Sequence, residues 1–169
     1  PELWNALKSG TYTAPDGTGW DLLQDRAAIV AAANAAPTDK GLAMIVKGFN
    51  STSFNRSGAV APGGVEVPFS VPRNEAAPTL TEMTAAALNK LGRDPDGFYV
   101  SIEGGAVDRA MHANNTGRMI EEYIEFNDAV KYVVDYVNSD ASAATFEDTL
   151  LNVTADHDHL LFGPDSATI

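Results

Sequence analysis

Phe98-Tyr99-Val100-Ser101-Ile102 is a run of aromatic and β-branched side chains of strand length, set off by the turn Asp94-Pro95-Asp96-Gly97 and stopped abruptly by Glu103-Gly104-Gly105. Downstream, Met119, Ile120, Tyr123, Ile124, Val130, Val133, Val134 and Val137 recur on one face, which predicts a helix from about Thr116 to Val137. Thr149-Leu150-Leu151-Asn152-Val153-Thr154 then reads as a second strand, again ending in charge at Asp156-His157-Asp158-His159. Upstream, Thr79-Leu80-Thr81-Glu82 has the form of a capping box. The apolar stripe Leu80, Met83, Ala87, Leu88 and Leu91 continues it as a helix that Gly92 ends. Leu42-Ala43-Met44-Ile45-Val46 is short enough for a buried strand, Trp20 to Ala33 carries near-helical spacing, and Pro1 to Lys8 looks like a short helix. Strands that alternate with helices predict βαβ units, hence an α/β fold with a mainly parallel sheet flanked by helices.

Residues 50–78 break this rhythm with Gly, Pro, Ser and Asn. A stretch of that length without regular structure reads equally as a lid or partner-contact loop and as an inert excursion. The 169 residues fit one domain or part of one, and we read 1–169 as a single partial domain, processed or excised from something longer because it opens on Pro1. With 44% hydrophobic and 20% charged residues the chain can bury a core. Eleven Lys and Arg against 23 Asp and Glu give a net charge of −12, which repels phosphate backbones, argues against nucleic acid as a partner, and suits cations. The absence of cysteine excludes thiol catalysis, disulfides and a zinc finger. No apolar run approaches the ~18 residues of a membrane span.

All three histidines fall just past predicted strand ends among carboxylates. Asp108 and His112 stand four apart, so one helical turn puts both on one face, where they reach one ion or form a surface ion pair. Asp156-His157-Asp158-His159 sets four ionisable groups at a sheet edge, which asks for partners or a metal. If the two strands run parallel, Glu103 and Asp156-His157 project from the same carboxyl edge, where open α/β sheets bind ligands. Imidazole with carboxylate suits Zn²⁺, and an all-oxygen position around Glu103 suits Mg²⁺. Ser166 lacks a strand-turn-helix setting and reads as a loop residue.

Gly97 to Asp108, then His112-Ala113-Asn114, then Val153-Thr154-Ala155-Asp156-His157-Asp158-His159 resemble the C-terminal metal-binding half of the alkaline phosphatase family, a likeness running from about Asn74 to Gly163. The resemblance implies a part of an alkaline-phosphatase-like three-layer sandwich. By position it implies that Glu103 is a Mg²⁺ ligand, Asp108 and His112 ligands of one Zn²⁺, Asp156 and His157 ligands of a second Zn²⁺, and His159 a supporting histidine or an accessory metal ligand. It further implies hydrolysis of phosphate monoesters, in which two zincs clamp the ester, a serine attacks phosphorus and a zinc-bound hydroxide completes the reaction. Arg109 and Met111 depart from the family's polar pattern, leaving Arg109 to attract phosphate and Met111 unable to ligate a hard ion. The family's serine nucleophile, its phosphate-binding arginine, the aspartate shared between the metals and one further zinc histidine have no counterpart here, so the chain alone is expected to be incomplete and inactive. A phosphodiesterase or phosphomutase of the same superfamily and a non-catalytic cation-binding or subunit-contact domain are the alternatives. The family commonly dimerises and is exported, so the expectation for the full-length protein is a homodimer in the periplasm or outside the cell.

Overall fold

The computed structural model describes residues 2–46, 67–139 and 144–159. Residues 50–66 of the long loop and Ser166 lie outside them. The described chain falls into two compact units, one built from 2–46 and 76–100, the other from 67–75, 101–139 and 144–159.

The first unit is α/β. Helix α1 (Glu2–Ser9) leads to β1 (Trp20–Leu23), α2 (Arg26–Asn34), β2 (Gly41–Met44) and α3 (Leu80–Leu91). The two strands run parallel with Trp20 opposite Gly41 and Leu23 opposite Met44, so β1-α2-β2 is a single βαβ unit. The helix expected over Trp20 to Ala33 is therefore a strand followed by a helix. Asp25 decides the break: its side chain accepts the Ala28 N–H at 2.9 Å, an N-cap that forbids helix before Arg26. Its neighbour Asp21 stays on the strand, paired with Lys40 at 2.8 Å.

Helix α3 begins at the expected capping box, with Thr79 and Glu82 each satisfying the other's backbone donor. The same Glu82 carboxylate takes a forked ion pair from Arg26 on α2, with Nη2 to Oε1 at 2.8 Å. At the other end, Asn89 donates to the Ala32 and Ala35 carbonyls at 2.7 and 2.8 Å, satisfying acceptors that α2 leaves open at its C-terminus. The two helices pack together, and Ile29 of α2 and Ala85, Ala86 and Leu88 of α3 are buried. Gly41 sits under the Trp20 ring, where an added Cβ would lie 2.3 Å from a ring carbon. Gly41→Ala is accordingly expected to lower the unfolding free energy by about 1–3 kcal/mol, an overpacking cost. An unchanged denaturant midpoint would show that the indole swings aside freely.

The second unit carries α4 (Gly105–His112) and α5 (Thr116–Val137), the latter with the bounds its periodicity predicts. Its burial differs from the expectation. Ile120, Tyr123 and Ile124 are exposed, and the buried face of its first two turns is polar: Arg118, Glu121 and Glu122. Arg118 Nη1 lies 3.2 Å from Glu121 Oε2 with both side chains almost fully buried. Glu121 Oε1 in turn accepts the Phe69 N–H, tying residues 67–75 to α5.

Two strand assignments are corrected. Neither Phe98–Ile102 nor Thr149–Thr154 forms a strand, and Tyr99 and Leu150 stand 90% and 91% exposed. A β-prone composition becomes a strand only when a neighbour completes the ladder, and among the described residues neither segment has one. The parallel pair lies instead at β1 and β2, and the expected neighbourhood of Met44, Tyr99 and Leu151 in one sheet does not form. Among the described residues no helix is long and apolar enough to cross a membrane.

Candidate metal centre

Gly104 and Gly105 open α4, and Gly104 does so against the Phe126 ring of α5, where a Cβ would approach to 2.8 Å. Two aligned positions of this short helix, four residues apart, then bear Asp108 and His112. The helix packs on α5 and buries Ala110 fully, and Asp108, two positions before it, falls on the opposite side of the helix. The other half of the site comes from the irregular segment that bears His157 and His159.

One carboxylate oxygen organises the site. Asp108 Oδ1 faces His159 Nε2 at 2.9 Å, His112 Nε2 at 3.4 Å and His157 Nε2 at 3.8 Å. The three imidazoles also meet edge to face, with His112–His159 and His157–His159 centroids 4.5 and 4.8 Å apart. Ligand atoms of Asp108, His157 and His159 all lie within 4.8 Å of one another. The hydrogen bond from His159, helped by the charges of the surrounding histidines, holds the Asp108 carboxyl below its ordinary range. His157 Nδ1–H donates to the Asp158 carbonyl at 3.0 Å, which leaves Nε2 directed at Asp108. That bond, with the nearby Asp156 carboxylate, raises the His157 pKa above its ordinary value. An imidazole oriented through Nδ1–H by a backbone carbonyl and presenting Nε2 is the usual arrangement of a metal-binding histidine. The mixed nitrogen and oxygen donor set fits a zinc-type divalent ion.

The structure thus brings Asp108, His112, His157 and His159 together. Asp156 lies at the rim, 3.6 Å from His157 Nε2 with a largely exposed side chain. Among the described residues no hydrogen bond or ion pair joins Glu103 to the group, and its carboxylate stands beside Gly105. Arg109 is exposed on α4. The resemblance gives His159 as a supporting histidine or an accessory metal ligand, and here it is the most buried histidine, 13% exposed, and the one bonded to Asp108.

A carboxylate on a helix that meets imidazoles from a segment some fifty residues further on is a group of donors able to hold a metal ion. The profile of the Alkaline phosphatase family matches residues 53–167, and the chain belongs to that family. It is 28% identical over 146 residues to an alkaline phosphatase of Escherichia fergusonii, covering 83% of this chain and 30% of that protein. It is 38% identical over 96 residues to one of Gadus morhua, covering 56% and 19%, and 35% identical over 100 residues to alkaline phosphatase 3 of Bacillus subtilis, covering 59% and 20%. The chain therefore spans less than a third of the length of these curated relatives.

Proposed function

We propose that this chain is the metal-holding portion of a phosphomonoesterase of the alkaline phosphatase type, binding two Zn²⁺ and one Mg²⁺. The observation that carries the reading is the meeting of Asp108 and His159, 51 residues apart in sequence, at 2.9 Å with His112 and His157 around them. When bound, such ions polarise a phosphoryl oxygen and acidify a water. Asp108, His112, His157 and His159 supply donors, Asp156 extends the set toward a second zinc, and Glu103 is assigned to magnesium. Arg109 adds a cation on the same helix to draw a phosphate monoester toward the site. The serine nucleophile that the resemblance implies has no match within the 169 residues, so this chain by itself is expected to turn over an aryl phosphate barely or not at all. The full-length protein is read as an exported, dimeric hydrolase, periplasmic or extracellular, with no nucleic-acid or membrane partner.

A zinc titration of the chain against a chromophoric chelator tests the reading, and its pH dependence has a defined sign. The raised pKa of His157 means that protons compete for its Nε2 from above the ordinary imidazole value, about 6.5. Asp108, shifted the other way, stays ionised throughout that range. Zinc affinity is expected to hold at alkaline pH and to fall as pH drops through the His157 pKa, with proton release on binding. Affinity that is flat from pH 8 to pH 5, or no binding at any pH, would remove the metal reading.

A further inference from the structure

The helix that carries Asp108 and His112 is too short to hold itself. An eight-residue helix is marginal in water, and α4 has no side-chain cap at Gly104. Its C-terminus is closed by a specific joint. Asn114 takes the left-handed conformation at φ 51, its N–H donates to Met111 O at 2.9 Å, and the Asn115 N–H donates to Ala110 O at 3.0 Å. This pair of reverse bonds is a Schellman ending, with Asn115 as its outermost residue. The same Asn115 is the N-cap of α5, its Oδ1 accepting the Arg118 N–H at 3.0 Å. Asn115 is completely buried, so its backbone closes the ligand-bearing helix while its side chain opens the scaffold helix.

We propose that Asn115 is a positioning residue for the metal site, fixing the direction in which α4 presents Asp108 and His112 by joining it rigidly to α5. The proposal rests on the metal reading above. It assigns a role to a side chain that touches none of the four clustered donors in any hydrogen bond. The required chemistry is narrow: an acceptor at the Oδ1 position. Asn115 Nδ2 has no hydrogen-bond partner among the described residues, so Asp is the isosteric replacement that keeps the part in use. Its added negative charge is buried, which has a cost, but it falls at a helix N-terminus, where the dipole offsets part of that cost.

The test is zinc affinity of the 169-residue chain, by chelator competition, at a temperature where circular dichroism shows each variant folded. Asn115→Ala is expected to weaken zinc binding about tenfold, the size of a lost N-cap, and Asn115→Asp to restore it to within about threefold. Asn114→Ala, at an exposed position outside the core, strains the left-handed residue and is expected to cost about threefold through the same joint. Thr79→Ala removes a comparable cap from α3 and is the control for loss of stability alone. It is expected to leave zinc affinity unchanged. Equal zinc affinity in wild type, Asn115→Ala and Asn114→Ala would overturn the proposal and leave the metal reading standing. An equal loss in Thr79→Ala would also overturn it, since stability would then be the cause. Failure of the wild-type chain to bind zinc would overturn both.

Discussion

Arg118→Ala is expected to lower the unfolding free energy by about 3–5 kcal/mol, the loss typical when one member of a buried ion pair is removed. Arg118 is 1% exposed and Glu121 2%, so water screens neither. The Glu121 carboxylate left behind keeps the Phe69 N–H but loses its contact with the guanidinium. The weaker compensation of a buried charge and the lost attraction together set the cost. The double variant Arg118→Met with Glu121→Leu tests this assignment. Replacing both charges by apolar groups of similar volume is expected to recover most of the loss. Denaturant unfolding of the single and double variants measures it. A single-variant loss below about 1 kcal/mol, in the range of exposed pairs, would show that water reaches the pair.

The same helix shows why part of the fold was legible and part was not. Its bounds follow from periodicity, and the Thr79 box from local hydrogen-bonding chemistry, because both are settled by residues within a few positions of each other. Which face of α5 is buried is not local. The apolar set Ile120, Tyr123 and Ile124 was the natural candidate, yet the buried positions hold Arg118 and Glu121, whose pairing makes burial tolerable. The Phe98 and Thr149 runs misled for a related reason. Their side chains are suited to strands, but a strand is a property of two segments, and the parallel pairing formed at Trp20–Leu23 with Gly41–Met44. Asp25 carried the corrective signal, since an N-cap residue inside an apolar stretch divides strand from helix. At the site, Asp108, His112 and His157 were readable from spacing and from the family motif. His159 was named by the same motif as a supporting histidine or accessory ligand, but its bond to Asp108, 51 residues away, was not legible, because it depends on how the chain returns to α4. Asn115 was missed because its two roles appear only once both helix ends are seen together.

Asp108→Ala is expected to weaken zinc binding on the order of a hundredfold, and to abolish the hydrolysis of an aryl phosphate by the full-length protein proposed above. The size follows from sharing the free energy of a protein zinc site, about 10 kcal/mol or more, among three or four donors, so that each is worth some two powers of ten. The effect should exceed that of His112→Ala. Asp108 Oδ1 is the atom all three imidazoles face, at 2.9, 3.4 and 3.8 Å, so its removal takes one donor and disperses the rest. His112 is two-thirds exposed, and its loss leaves the Asp108–His159 bond intact. Asp108→Asn separates charge from shape. It keeps an oxygen that can accept from His159 but removes the negative charge, so the histidines remain gathered while the ion loses its anionic ligand. Zinc affinity is expected to fall in Asp108→Asn nearly as far as in Asp108→Ala, whereas the pKa of His157, followed by proton NMR, is expected to drop in both because Asp108 is among the charges that raise it. If Asp108→Asn binds zinc like wild type, the carboxylate organises the histidines without ligating the ion, and the donor set must be sought among His112, His157 and His159.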